Sequence, residues 1–258
     1  MSEMSIEGNT RKDILKAALN AGKTGAHIAP SLSLVEISLA VLKTFDTDED
    51  TFVLSKGHGA LGYYAAMHQM GLITDEQFES FELDGGEFPG QPSRTVNNHI
   101  DYSGGSLGMG LCYGLGTAIA SPESKTFVIM GDGEVNEGSV WEAAMLAAKK
   151  NVNNLIAIID QNGLQSDGKC DDILGMNLVD LWKAYGWYTI TCDGHSVEDI
   201  VSAIQSRSDE KPTVILAQTT KGKGVSFMEN DNTWHHHELK QNEYELAIED
   251  IGAKYGIN

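Results

Sequence analysis

Residues 128–138 read VIMGDGEVNEG: an apolar run stops at Gly-Asp-Gly and gives way to acids and an amide. Asp and Gly are favoured in tight turns, which is the plain structural explanation. The same run supports a chemical one. The next apolar segment, NLIAII, ends in Asp-Gln-Asn-Gly, so Asp132 and Asn162 both follow buried strands. Strands joined by one right-handed crossover carry such residues on the same rim of a parallel sheet, where ligands collect. A carboxylate and an amide carbonyl are hard oxygen donors that suit Mg²⁺ or Ca²⁺ and suit zinc poorly. Two side chains cannot fill an octahedron, so a ligand's phosphates, a backbone carbonyl and water must supply the rest. Gly131 and Gly133 let the backbone approach a diphosphate, and the following helix offers its positive end.

The elements that must position these residues are legible in the apolar periodicity. Residues 10–21 repeat apolar positions at helical spacing. Ser33 with Glu36, and Thr74 with Gln77, have the spacing of capping boxes that open two further helices. From residue 126 the rhythm alternates: four strands (TFVIM, NLIAII, WYTIT, TVILAQ) interleave with helices GSVWEAAMLAAKK, NLVDLWKAYG and SVEDIVSAIQS, the last capped at Ser196. Trp141 and Met145 are expected in the core. The alternation predicts a doubly wound α/β fold: a mostly parallel sheet with helices on both faces. No Pro/Ser-rich linker interrupts the chain, so residues 1–258 are expected to form one domain.

Composition narrows the partners. A formal charge of −19 argues against nucleic acid, which requires clustered Lys and Arg, although the acid excess is explained by solubility alone. Cys112, Cys170 and Cys192 form no CxxC pair, so neither a disulfide framework nor a zinc site is expected. No apolar run has the ~18–20 residues of a membrane span, and the N-terminus lacks the apolar stretch of a signal peptide. These features predict a cytoplasmic protein without membrane contact.

A GDG tripeptide alone is a weak signal, but GDG after a strand, then helix, strand and Asn, is the thiamine-diphosphate signature. Over roughly residues 10–250 the chain resembles the N-terminal, diphosphate-binding part of transketolases. The resemblance implies thiamine diphosphate and Mg²⁺ or Ca²⁺ as cofactors. It implies Asp132, Asn162 and the backbone carbonyl of Leu164 as metal ligands, with Gly133 at the diphosphate. GGSLGMGL is similar to a family loop that lines the cofactor, which implies roles for Gly105, Ser106 and Leu107. LSKGHGA implies a cofactor contact for His58, and HIAPSLS a donor-sugar contact for His27. TTKGKG followed by WH implies cofactor contacts for Lys221 and His235, His235 also reaching substrate. Glu137 matches an acid that the family buries between subunits. Of these, His27, His58 and His235 are the expected catalytic residues. Each also has an ordinary reading: single histidines are commonly structural, Lys221 and Lys223 could be surface charges, and Glu137 suits a first helical turn. His68, His99 and His195 match no motif and are expected to be structural.

Two departures matter. PGQP stands where the family usually has GHP, so Gln91 replaces a histidine near the donor sugar and cannot carry a proton near neutral pH. Pro30 and Ala29 also depart from the pattern. In the family, a glutamate that assists the cofactor's own proton transfer lies on a second, pyrimidine-binding domain, for which 258 residues leave no room. The resemblance therefore implies a split enzyme moving a two-carbon ketol unit from a ketose to an aldose. A partner chain, the C-terminal transketolase subunit, would supply that domain, in an expected α2β2 assembly. Two alternatives stay open: the α subunit of another thiamine-diphosphate enzyme, a 2-oxoacid dehydrogenase or ketol synthase, or a non-catalytic cofactor-binding paralogue.

Overall fold

The computed structural model describes residues 4–95 and 99–256. Among these, five strands form one fully parallel sheet: β1 (Thr51–Leu54), β2 (Thr126–Gly131), β3 (Leu155–Gln161), β4 (Tyr188–Asp193) and β5 (Thr213–Gln218). Their order across the sheet is β1-β2-β3-β5-β4. Strand side chains alternate between two separate cores, as the pleat requires. Phe127, Ile129, Ile156, Ile158 and Ile215 face a core built with helices α1 (Ile6–Asn20), α2 (Ile28–Ser33), α3 (Val35–Thr44) and α4 (Ala60–Gln69). Val128, Met130, Ala157, Ile159 and Leu216 face the other core. Of the elements there, α6 (Met109–Ala120), α7 (Gly138–Lys149) and α9 (Leu178–Ala184) cover the sheet, while the short α8 (Cys170–Leu174) lies nearer the surface; the short α5 (Asp75–Glu79) packs beside α4 on the first face through Phe78. Helices α10 (Val197–Gln205) and α11 (Gln241–Tyr255) complete the first face. Among the described residues, no helix is long and apolar enough to cross a membrane.

Parallel strands buried on both faces read as continuous apolar runs, and this is why β2, β3 and β5 are visible in the sequence. The expected four strands are in fact five. β1 is only four residues long and lacks an apolar run that stands out from its helical surroundings. Its position matters, because LSKGHGA therefore begins at a strand's carboxyl end.

Two expected caps form: Thr74 and Gln77 make a capping box, and Ser196 accepts from Asp199 N–H. The box expected at Ser33 and Glu36 does not form. Leu34 occupies the N-cap of α3, Ser33 Oγ is drawn instead to the buried Asp160 carboxylate at 2.6 Å, and Glu36 pairs with Arg11. A buried charge outcompetes a local backbone donor. Met145 is not a core residue: it is 49 % exposed on α7, whose buried side is Val140, Ala143, Ala144 and Ala147. Trp141 is half-buried and stacks on Tyr185. The helix expected over GSVWEAAMLAAKK forms where the sequence placed it. A single 3-10 turn, Glu134–Asn136, intervenes before α7 starts at Gly138.

Candidate functional site

Four adjacent strand ends build the site. β2 and β3 pair through Gly131 and Asp160, and Asp132 N–H donates to Asp160 O at 3.2 Å, so Asp132 and Asn162 emerge at the same height. The Asp132 carboxylate accepts from Gly163 N–H at 2.5 Å and Gly133 N–H at 2.8 Å, which binds the two strand tips together. Asn162 Oδ1 accepts from Leu164 N–H at 3.0 Å. Leu164 itself turns back to bridge with Lys169.

Asp132, Gly133, Asn162 and Leu164 border a cavity of about 310 Å³, together with His58 from beyond β1, Lys221 from beyond β5, and Leu107, Glu137, Gln165 and His235. Lys221 is not a surface charge. It is 2 % exposed, and its ammonium donates to Gln165 O and Asn232 Oδ1, both at 2.9 Å. Three histidines from distant segments converge beside this cavity. Ring centres lie 5.8 Å apart for His27 and His58, 5.4 Å for His27 and His235, and 5.2 Å for His58 and His235. Burial, reinforced by neighbouring charges that include Lys56 and Lys221, lowers His27 to about 4 and His235 to about 3, and holds His58 well below its ordinary value. All three are thus neutral near pH 7, able both to donate and to accept hydrogen bonds. Burial, with Lys56 as second cause, also lowers Lys221 to about 8.

The remaining expected residues lie further out. Gly105 and Ser106 are exposed on the approach to Leu107. Glu137 is exposed at the start of α7, on the cavity rim. Gln91 is exposed and lies over the His58 turn, where its Oε1 occupies the space that a side chain at Gly57 would need. His68 and His195 fill structural positions. His68 joins Asp13 to Asp75, and His195 joins Glu36 to the backbone N–H of Thr220.

Sequence reasoning missed a buried polar layer beneath the site. Asp160, fully buried, receives Lys56, Ser33, Thr219 and Asn162. Burial opposes its charge, but the Lys56 ammonium and these hydrogen bonds prevail and keep Asp160 below the usual carboxylate range. Glu134 ties Ser55, Gly108 N–H and Gly131 N–H together, linking β1, α6 and β2, although burial pushes its carboxyl upward. Lys56 and Asp160 stand inside the motifs LSKGHGA and DQNG; only their burial marks them.

The donor set fits a divalent cation carried by a diphosphate. Among the described residues no group of three or more His, Cys, Asp or Glu could hold a metal. A cation here would rest on one carboxylate, one amide oxygen and the ligand's own oxygens, a combination suited to a hard ion. Burial, then the charge of Asp160, pushes Asp132 up to about 6 against its two backbone hydrogen bonds, a penalty that a bound cation would offset. His235 Nδ1, in a cavity-lining residue, is buried without a hydrogen-bond partner among the described residues, which suits a polar ligand.

An open parallel sheet with a polar cavity across the carboxyl ends of its central strands defines an α/β ligand-binding domain of the cofactor-binding type. Residues 26–258 match the family described as transketolase, thiamine diphosphate binding domain. The chain belongs to that family. It is 36 % identical over 241 residues to one of the subunits of apulose-4-phosphate transketolase from Actinobacillus succinogenes, covering 89 % of this chain and 87 % of that one. It is 34 % identical over 270 residues to 6-deoxy-6-sulfo-D-fructose transketolase subunit SqwG of a Clostridium species, covering 97 % and 98 %. The solved transketolase of Leishmania mexicana superposes with a TM-score of 0.83 at 27 % identity over 98 % of this chain. This chain spans only 41 % of the Leishmania protein, so in extent it corresponds to the relatives named as subunits.

Proposed function

We propose that residues 1–258 form one domain that serves as the diphosphate-binding subunit of a two-chain transketolase. It would act with thiamine diphosphate and Mg²⁺ or Ca²⁺ on a ketose, a sugar phosphate being favoured by the names of the apulose-4-phosphate relatives. The observation that carries the reading is the cluster of His27, His58 and His235, the last two lining the cavity bordered by Asp132 and Asn162. Thiamine diphosphate, when bound, supplies the electron sink that lets a carbon–carbon bond beside a carbonyl break and re-form. The chain's own residues do the rest. Asp132, Asn162 and the Leu164 carbonyl hold the cation, and the Gly133 backbone and Lys221 meet the diphosphate, with His58 and Leu107 along the cofactor. Gly105 and Ser106 would complete that wall once a partner packs the loop against it. His27 and His235 hydrogen-bond sugar oxygens and assist proton transfers, each neutral imidazole offering one N–H donor and one acceptor nitrogen. Gln91 would hold a sugar hydroxyl by hydrogen bonding alone.

Two features support a separate partner chain carrying the pyrimidine-binding domain and its glutamate, in an α2β2 complex. Relatives of matching length are named as subunits, and Glu137 and Leu107 stand exposed at the cavity rim. A cytoplasmic setting accords with three free cysteines. The test is reconstitution. The purified chain should show no ketol transfer, and adding its partner should restore it. Turnover by the isolated chain refutes the split site, and calorimetry detecting no thiamine diphosphate binding by the complex at saturating Mg²⁺ refutes the cofactor assignment.

A further inference from the structure

Asn162 can serve a cation only through Oδ1, and an amide that flips presents two N–H donors instead. The structure holds this amide at both ends. Its Oδ1 accepts from Leu164 N–H at 3.0 Å, and its Nδ2 donates to Asp160 Oδ2 at 3.2 Å. Asp160 is itself fixed by donors from three other segments. Ser33 Oγ donates to Oδ2 at 2.6 Å, the Lys56 ammonium bonds the same oxygen, and Thr219 Oγ1 bonds Oδ1. Lys56 is held in turn by Pro30 O at 3.1 Å and Ser33 Oγ at 3.2 Å. Both ions are buried, Lys56 at 2 % and Asp160 at 0 % exposure, where an unpaired charge would be strongly disfavoured.

We propose that Asp160 is a positioning residue that locks the Asn162 amide with its oxygen, rather than its N–H groups, as the group offered to the cation, and that Lys56 is the counter-ion that makes a buried lock possible. The inference rests on the reading of Asp132 and Asn162 as metal ligands. Lys56 offsets the charge of Asp160 directly beneath the Asn162 amide. The fixed amide oxygen completes the pair of protein side chains without a second carboxylate.

The test is a two-background comparison on the chain assembled with its partner, with Mn²⁺ as the probe and thiamine diphosphate present, free Mn²⁺ being read by electron paramagnetic resonance. Lys56→Met with Asp160→Leu replaces the ion pair by apolar groups of similar size, an exchange that buried pairs commonly tolerate. Circular dichroism and thermal melting check that the variants fold. With Asn162 in place, this double substitution should weaken Mn²⁺ by roughly 10-fold or more, the usual scale for losing the partner of a metal ligand. In the Asn162→Asp background the carboxylate has no wrong way round and, after the double substitution, no longer faces the charge of Asp160. There the same double substitution should cost little or should tighten binding. An equal loss in both backgrounds overturns the lock while leaving the metal site standing. Failure of the unmodified complex to bind Mn²⁺ overturns the metal-site reading, and the lock with it.

Discussion

Asp132 shows how a residue suited to a ligand can burden the fold that carries it. Burial and the charge of Asp160 push its carboxyl from 3.8 up to about 6. A proton on Asp132 therefore stabilises the folded chain. That contribution is full below the ordinary value of 3.8 and is lost as pH rises through about 6. At neutral pH the cation-free chain carries the ionised group at a cost. Asp132→Asn is expected to stabilise that chain by roughly 1–2 kcal/mol at pH 7 and to flatten its stability between about pH 4 and 6. The same change should abolish Mg²⁺-dependent retention of thiamine diphosphate. Melts in a chelator across that pH range check the first part, and calorimetry checks the second; a variant less stable than the parent at pH 7 contradicts the account.

At the scale of elements, the histidine cluster depends on how closely α2 approaches α4. His27 immediately precedes α2, and His58 lies in the turn that leads into α4. Gly62 on α4 lies against the backbone of α2, where an added Cβ would fall 2.6 Å from Ser31 O. Backbone cannot yield as a flexible side chain can. Gly62→Ala is therefore expected to push the two helices apart, at a cost of about 1–3 kcal/mol. It should weaken the contact between His27 and His58 without touching either residue. Denaturant melts would show the loss of stability, and reconstituted activity should fall further than cofactor binding. Unchanged stability would mean that the helices are not packed so closely.

At the scale of the whole molecule, the sheet's second face is covered by helices that are themselves incompletely covered. Met109 and Tyr113 on α6, with Met145 and Leu146 on the adjacent α7, are 39 % to 49 % exposed. Apolar side chains grouped on neighbouring helices mark a surface made to be covered. Because Leu107 precedes α6 and Glu137 precedes α7, a partner chain seated there would reach the cavity rim. Met145→Glu should leave the chain folded and able to melt as before, yet weaken assembly with that chain at least 10-fold by sedimentation. Undiminished assembly would locate the partner elsewhere.

The amino-acid order was enough to establish the parallel α/β fold, the strand-end positions of Asp132 and Asn162, and the motifs that contain His27, His58 and His235. Each is a local signal: an apolar run, a glycine turn, or a short motif at the end of an element. Folding in three dimensions settled what lay across long separations. Ser33 left its helix cap for Asp160, Met145 turned outward, and a four-residue β1 brought Lys56 beneath the site. The physical reason is that a cap, a helical face or a short strand is chosen by local preferences worth about 1 kcal/mol each. A buried charge needing partners outweighs such preferences, and which partners arrive is fixed only once the chain has folded.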